Sequence, residues 1–313
     1  MARSQPSRRA VLQIVAGSAT GLAGTARAET VPWSAGSERP RLKAPPEAAD
    51  CHHHIYDHRF PPDPRATLHP ADATVADYRL LQTRLGLTRN VVVQPSTYGT
   101  DNRCMLAALA AFGPTARGIA VVHPDISESD LRRMAAQGVR GIRFNLVQTG
   151  ATTIEMVEPL SHRIADLGWH VQLHMLGAQI AAQEALLRRL PTPIVFDHLA
   201  RIPAAEGINH PAFRVVRSLL DGGRVWVKLS GPYQDSRTGP PTYADVSAVA
   251  RAYVRAAPER CVWGSDWPHP TEKIKPDDAV LLDLLTDWAP HPPTQALILV
   301  KNPEYIYGFS KTG

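Results

Sequence analysis

The chain has 313 residues, of which 44% are hydrophobic and 20% charged, and its formal net charge is +5 at pH 7. Residues 1–28 hold four arginines and no acid, so the rest of the chain carries a net charge of only +1. After this segment we find no basic tract suited to nucleic acid and no apolar run long enough to span a membrane. The remaining length of about 285 residues predicts one large catalytic domain.

The first 28 residues predict an export signal. Arg8 and Arg9 precede a weakly apolar run rich in Gly, Ala and Ser, which ends in the small-x-small pattern Ala26-Arg27-Ala28. This combination is typical of a twin-arginine signal, a receptor-read address that is removed after export. An ordinary secretory peptide or a short membrane anchor is the alternative. We therefore expect the twin-arginine export machinery as a partner, a periplasmic location, and no membrane association once the signal is removed.

An irregular Pro-rich lead over residues 29–46 precedes a regular alternation of strand and helix patterns over residues 47–310. Short apolar β-rich runs predict strands covered on both faces, and the helical patterns between them predict crossover helices. The strands are predicted at residues 49–56, 90–94, 118–123, 139–145, 169–174, 193–198, 225–230 and 261–265, and the helices at 75–85, 102–112, 128–137, 154–167, 178–190, 211–220 and 244–256. The predicted fold class is α/β, a single-domain (β/α)8 TIM barrel.

Polar side chains stand at the carboxyl ends of several predicted strands. His52 and His54 are two residues apart in the first strand, so they share one face of it. The fifth strand ends in His174, the sixth in His198, and Asp266 follows the eighth. Because the carboxyl ends of parallel barrel strands open on one rim, we expect these five side chains to meet there. Four imidazoles and a carboxylate suit a divalent ion such as Zn²⁺ with an open position for water.

Other histidines and the cysteines receive no functional role. Cys51 and His53 alternate with the paired histidines and should turn away from them, His53 towards the helical layer or a loop. His123, His162 and His170 are interpreted as hydrogen-bonded core or rim residues. The three cysteines match no zinc-ribbon or redox spacing, so we expect buried free thiols at Cys51, Cys104 and Cys261.

Two strand-end residues have more than one interpretation. Asp266 can act as a catalytic group, or it can cap the turn that begins at Trp267-Pro268. Arg143 closes the fourth strand, where an unpaired guanidinium would be costly. It can bind a substrate carboxylate through two hydrogen bonds or pair with an acid of the protein itself. Long loops over residues 57–72 and 230–243 follow the first and seventh strands, on the rim that carries the active face of such barrels.

Several motifs together carry a resemblance to a known family. They are Asp50-x-His52-x-His54, Gly141-Ile142-Arg143-Phe144-Asn145, Asp197-His198 and Trp263-Gly264-Ser265-Asp266-Trp267-Pro268-His269-Pro270. On these residues the chain resembles the amidohydrolase superfamily, in the branch of 2-pyrone-4,6-dicarboxylate lactonase and galactarolactone isomerase. The resemblance covers residues from about 46 to 309 and implies a hydrolase that opens a lactone of a small carboxylic or sugar acid.

The resemblance implies that His52, His54, His198 and Asp266 occupy active-site positions of the family, and from the residues we assign individual roles as a hypothesis. Asp266 and His198 would be the catalytic pair, and His52, His54, His174 and Asp266 would be the ligands of a divalent metal such as Zn²⁺. The same imidazoles could instead work without a metal, as hydrogen-bond donors to the developing oxyanion. Four further residues would bind the lactone or carboxylate substrate: Arg143, Ser96, Tyr98 and Arg237.

Departures from the family pattern leave the substrate open. A second arginine expected shortly after Arg143 is missing, which puts the recognition of two carboxylates in doubt. Lactone isomerisation and nonoxidative decarboxylation are alternative reactions on this fold, because a fold does not fix the chemistry. A non-catalytic periplasmic protein that binds small acids is the alternative from another class.

Overall fold

The computed structural model describes residues 1–2, 30–148 and 150–311. The predicted export signal lies outside the described residues, apart from the first two. Within the described part of the chain, no helix is both long enough and apolar enough to cross a bilayer. Cys51, Cys104 and Cys261 are buried and free, as the sequence predicts.

Eight parallel strands form one sheet whose neighbours follow the order of the chain. They are β1 (Ala49–His53), β2 (Arg89–Val93), β3 (Ala116–Ala120), β4 (Val139–Asn145), β5 (His170–His174), β6 (Ile194–Phe196), β7 (Val225–Leu229) and β8 (Cys261–Trp263). This arrangement confirms the predicted TIM barrel. β4 has the predicted bounds, whereas β1, β3, β6 and β8 end two or three residues before their predicted ends. The residues beyond these ends leave the sheet and form the mouth of the barrel.

The helices cover the outside of the sheet. They are α1 (Val75–Leu85), α2 (Arg103–Phe112), α3 (Glu128–Ala136), α4 (Val157–Ile164), α5 (Gly177–Ala182), α6 (Glu184–Arg189), α7 (Pro211–Asp221), α8 (Ala244–Ala256), α9 (Asp278–Asp283), α10 (Leu285–Trp288), α11 (Pro292–Ala296) and α12 (Asn302–Tyr307). The single helix predicted over 154–167 is shorter and has 3₁₀ turns at both ends, and the one predicted over 178–190 breaks at Gln183 into α5 and α6. The helices after β8 have no counterpart among the predicted elements.

The barrel closes through the segment that follows β8. The N–H of Asp266 donates to the carbonyl of His52 at 2.8 Å. The buried carboxylate of Asp50 accepts from the N–H of Ser265 at 3.0 Å and from its hydroxyl at 2.6 Å. Burial raises the pKa of Asp50 to about 6, against the opposing effect of these hydrogen bonds. The closure therefore also fixes the backbone of Asp266 beside that of His52.

An irregularity in β1 changes which side chains point inward. Asp50 pairs with Asn90 whereas His53 pairs with Val92, so β1 holds one residue more than β2 over this stretch, as at a β-bulge. Cys51 therefore does not turn outward with His53. It packs in a cluster drawn from several strands, together with Ala49, Val91, Val93, Ile119, Val195 and Val262. The prediction that Cys51 turns away is wrong for this reason, whereas His53 stacks on Tyr78 of α1 in the predicted helical layer.

Candidate active site at the barrel mouth

A pocket opens at the carboxyl ends of the strands and encloses about 440 Å³, its mouth included. Polar side chains line most of it: His54, Tyr56, Ser96, Arg143, Asn145, Gln148, His174, His198, Gln234, Asp266 and Thr271. His52 lies below the floor of this pocket and is fully buried.

The centre of the site is one carboxylate oxygen, Oδ1 of Asp266. The Nε2 atoms of three histidines face it, at 3.5 Å for His52, 3.6 Å for His54 and 3.9 Å for His198. His52 and His54 lie at the end of β1, His198 in the turn after β6, and Asp266 in the turn after β8. The structure thus brings four of the five predicted side chains onto a single point.

Burial and charge set the protonation states at this point. Burial alone would raise the pKa of Asp266, but His198, His54 and His52 hold it well below its usual value, so the carboxyl is ionised. Burial lowers the pKa of His198, in part against the attraction of Asp266 and Asp197. The pKa of His52 is also well below its usual value, because the ring is buried and Lys228 is beside it. The site therefore combines the ionised carboxylate of Asp266 with the neutral imidazoles of His52 and His198 near pH 7.

The second nitrogen of each ring fixes how the ring is held. The Nδ1 of His54 lies 2.8 Å from the carbonyl of Val93, which only accepts, so this nitrogen donates to it. The Nδ1 of His52 lies between the ammonium of Lys228 at 3.1 Å, which only donates, and the carboxylate of Asp197 at 3.2 Å, which only accepts. Both rings therefore turn their Nε2 atoms towards Asp266.

A buried ionic network supports the site from below. Oδ2 of Asp197 accepts from Nε of Arg143 at 3.1 Å and from the amide of Gln172 at 3.2 Å. Its Oδ1 lies 3.2 Å from Nδ1 of His52 and 3.5 Å from the ammonium of Lys228. Burial lowers the pKa of Lys228 to about 8, against the attraction of Asp197. Arg143 therefore pairs with an acid of the protein itself, which is one of its two interpretations, and its guanidinium also lines the pocket.

His174 lies in the pocket wall but outside the central cluster. Its Nε2 accepts from Arg201 at 2.9 Å, and its Nδ1 is 3.4 Å from Arg143. Arg201 is in turn held by two contacts to Asp235, at 2.7 Å and 3.0 Å. Because Arg201 occupies the lone pair that a metal ligand needs, the structure does not bring His174 together with the other predicted ligands.

A left-handed turn after β6 places both His198 and Arg201. The four residues from His198 to Arg201 have φ values between 48° and 58°, although none is glycine. Each such residue costs roughly 1–2 kcal/mol, so a run of four persists only where its surroundings fix it. Contacts at its two ends do so, from His198 to Ser230 at 3.0 Å and from Arg201 to Asp235.

The remaining predicted residues are placed differently. Ser96 lines the pocket and accepts from Asn145 at 2.9 Å. Tyr98 is buried behind the wall, where its hydroxyl accepts from the N–H of Asp57 at 2.8 Å. Arg237 is exposed, and its N–H donates to Asp245 at 2.7 Å, so the structure does not bring it to the pocket.

The donor set fits a divalent ion by geometry. In the described part of the chain, ligand atoms of His52, His198 and Asp266 all lie within 4.8 Å of one another. The distances of 3.5 Å and 3.9 Å from Asp266 to these rings approach the roughly 3.4 Å that separates ligand atoms around a tetrahedral ion bound at about 2.1 Å. The buried Nε2 of His52 also has no hydrogen-bond partner there. Of the four predicted ligands, His52 and Asp266 belong to this group, and His198 joins them.

Sequence reasoning missed several residues of the site. Lys228 and Gln172 interrupt the apolar strands Val225–Leu229 and His170–His174, and a charged or amide side chain in a strand covered on both faces is a signal that could have revealed them. Arg201 and Gln234 lie in turns whose geometry no local sequence pattern predicts.

A parallel eight-stranded barrel with histidines and an aspartate at its carboxyl-end rim defines a class of hydrolytic barrel proteins. The family model for amidohydrolases matches residues 49–309. The chain therefore belongs to the amidohydrolase family, which confirms the resemblance seen in the sequence.

Three known proteins show which members of the family it is similar to. A 2-pyrone-4,6-dicarboxylate hydrolase of Comamonas testosteroni is 36% identical, over 88% of this chain and 94% of that protein. A D-galactarolactone isomerase of Agrobacterium fabrum is 30% identical, over 87% of this chain and 94% of that protein. An apo crystal structure of an Agrobacterium tumefaciens protein superimposes with a TM-score of 0.82 at 30% identity, and covers 90% of this chain and 99% of that one.

Proposed function

We propose that the protein is a hydrolase that opens the ring of a lactone of a small carboxylic or sugar acid. One observation carries the proposal: three imidazole Nε2 atoms converge on a single oxygen of the ionised Asp266, in a pocket that Arg143 also lines. The similarity to a 2-pyrone-4,6-dicarboxylate hydrolase supports the same reaction class.

Asp266 acts as the general base. Its Oδ1 takes a proton from a water molecule, whose oxygen forms the new bond to the lactone carbonyl carbon. The imidazole of His198, which lines the pocket, polarises the carbonyl oxygen as negative charge develops on it, which stabilises the transition state most in a site closed to water. The carbon–oxygen bond of the ring then breaks, and the proton held by Asp266 passes to the leaving alkoxide, with His198 beside this path.

Arg143 orients the substrate. Its Nε is engaged by Asp197 and its Nη2 lies 3.4 Å from Nδ1 of His174, which leaves Nη1 for the substrate carboxylate. Ser96 and Asn145 form a polar wall next to it and suit ring substituents or hydroxyls. The second carboxylate of a dicarboxylate substrate has no second arginine among the residues that line the pocket.

A divalent ion, which we propose to be Zn²⁺, fits His52, His198 and Asp266, with His54 beside them. When bound, such an ion polarises the carbonyl and acidifies water near neutral pH.

Isomerisation is the second candidate, and the similarity to a D-galactarolactone isomerase favours it. In that reaction a hydroxyl of the substrate replaces water as the nucleophile, while Asp266 serves as base in the same way.

One experiment separates the two reactions. The purified protein is incubated in ¹⁸O-water with 2-pyrone-4,6-dicarboxylate and with a galactaric acid lactone, with and without added zinc or chelator, and the products are analysed by mass spectrometry. Hydrolysis gives an open acid that gains one labelled oxygen, whereas isomerisation gives an unlabelled product of unchanged mass. Asp266→Asn should slow either reaction by about 10²–10⁴-fold. Saturable binding without any product would overturn both proposals and favour a binding protein.

We also propose that the protein is exported to the periplasm. The support is the sequence alone, in Arg8 and Arg9 and the Ala26-Arg27-Ala28 pattern. The expected result is mature protein with a new amino terminus near residue 29 in the periplasmic fraction, and loss of export in Arg8→Lys/Arg9→Lys. Full-length protein confined to the cytoplasm would contradict it.

A further inference from the structure

A chain of buried polar groups runs away from the substrate pocket behind Asp266. Oδ2 of Asp266 accepts from the hydroxyl of Tyr233 at 2.7 Å. The same hydroxyl is 2.8 Å from Nδ1 of His269, whose Nε2 lies 3.2 Å from Oδ2 of Asp278. His269 and Asp278 are fully buried. None of these three partners lines the pocket, so the substrate does not account for them.

The two oxygens of the Asp266 carboxylate make different contacts. Oδ2 accepts from Tyr233 and also from the amide of Gln234 at 2.9 Å. Among the described residues, Oδ1 faces the imidazole cluster of His52, His54 and His198. Burial and the nearby Asp266 raise the pKa of Tyr233 well above its usual value, so its hydroxyl remains a donor.

Asp266 needs such a support because its backbone is unfavourable. Its φ is 63°, a left-handed conformation that L side chains rarely adopt, and His269 has a φ of 53°. The N–H of His269 donates to the carbonyl of Asp266 at 2.9 Å, which closes the turn between them. Asp278 holds the far end of the chain from the start of α9, a segment distant in sequence from the residues that bear Tyr233.

We propose that Tyr233, His269 and Asp278 are positioning residues, which hold the carboxylate of Asp266 so that Oδ1 is presented to the nucleophile. This inference rests on the proposed lactone reaction and adds a fixed support for its base. A catalytic group displaced by about 1 Å loses on the order of 10²-fold in rate, so the support acts on turnover rather than on substrate binding.

The test is steady-state kinetics of variants of the complete protein on a lactone that the wild type opens. Tyr233→Phe should lower kcat by about 10–100-fold and change KM less than about twofold. His269→Asn keeps an N–H donor near the position of Nδ1 and should retain more of kcat than His269→Leu, which has none. Tyr253→Phe is the matched control, because the hydroxyl of Tyr253 is buried without a hydrogen-bond partner among the described residues, and it should leave kcat unchanged.

Three results would overturn the inference: an unchanged kcat in Tyr233→Phe, an effect confined to KM, or equal losses in His269→Asn and His269→Leu. If His269→Leu fails to fold, Asp278→Asn replaces it, with the same expected loss of kcat.

A wild type that opens no lactone would contradict the proposed function but not the hydrogen-bond chain from Asp266 to Asp278. This hydrogen-bond chain is then tested by the Tm values of Tyr233→Phe, Asp266→Asn and the double variant. A drop in Tm of the double variant that is smaller than the two single drops combined supports the chain, because contacting residues are not additive. Fully additive drops overturn it.

Discussion

The carboxylate of Asp197 is the only negative charge in the buried network described above, where Lys228 and Arg143 are the cations. Asp197→Asn would leave both cations buried without a counter-charge. Removal of one partner from a buried pair costs about 3–5 kcal/mol, and here the lost contacts are at 3.1 Å and 3.5 Å. For a folded chain of this size, about 4 kcal/mol corresponds to a Tm lowered by roughly 6–8 °C.

The pH dependence of this loss follows from Lys228, whose folded pKa is about 8 against an ordinary 10.5. Below pH 8 the amine is charged in both the folded and the unfolded state, so the cost of burying it is fully present. As pH rises from 8 towards 10.5 the folded state gives up the proton first, and this cost is relieved. Asp197 holds the pKa of Lys228 up, so in Asp197→Asn the relief begins at a lower pH. The stability deficit of the variant should therefore be largest near pH 6 and shrink towards pH 9.

The assay is urea unfolding followed by far-UV circular dichroism at pH 6 and pH 9, for the wild type, Asp197→Asn, Lys228→Met and the double variant. The double variant leaves only Arg143 charged and should recover more than half of the loss. Lys228→Met by itself keeps the pair of Asp197 and Arg143, so its loss should be the smaller of the two single variants. The reasoning would be refuted by an Asp197→Asn protein as stable as the wild type. It would also be refuted by a double variant no more stable than Asp197→Asn.

Two further predictions concern the pocket and the barrel closure. Arg143→Ala should raise KM for a carboxylated lactone by about 10–100-fold, since a charged hydrogen bond contributes about 1.5–3 kcal/mol. Arg237 is exposed, so Arg237→Ala should leave KM within about twofold. Equal effects of the two substitutions would contradict the placement of Arg237 outside the pocket. Asp50→Ala should lower the free energy of unfolding by about 2–3 kcal/mol, because the buried N–H and hydroxyl of Ser265 lose their acceptor. In the same denaturation series, Asp125→Ala at an exposed position should change the free energy of unfolding by less than about 0.5 kcal/mol. An Asp50→Ala protein as stable as the wild type would contradict this account of the barrel closure.

Much of the barrel could be predicted from local patterns. A strand covered on both faces requires an apolar run, and a parallel neighbour requires a crossover, so alternating runs and helical segments predict the TIM barrel directly. The errors in the predicted strand bounds are concentrated at the carboxyl ends of the strands. There the predicted eighth strand ran to residue 265, but the N–H of Ser265 donates to the carboxylate of Asp50 and that of Asp266 to the carbonyl of His52.

The convergence of His52, His54, His198 and Asp266 was predictable for a topological reason. All carboxyl ends of a parallel barrel share one rim, so sequence distance between strand-end residues does not matter. The position of His174 at the end of β5 was predicted equally well, but its partner was not. Arg201 reaches it only because four residues adopt a left-handed turn.

The sequence by itself determined the family, the strand order and the residue types that reach the rim, because periodicity and strand-end position are properties of the chain read along its length. Only the tertiary structure decided how those residues are used. The extra residue in β1 turned Cys51 inward, the ammonium of Lys228 came to lie beside the ring of His52, and Tyr233 fixed one oxygen of Asp266. Each of these depends on a hydrogen bond between elements far apart in sequence, and the direction of such a bond is set by the packing of the whole barrel rather than by neighbouring residues.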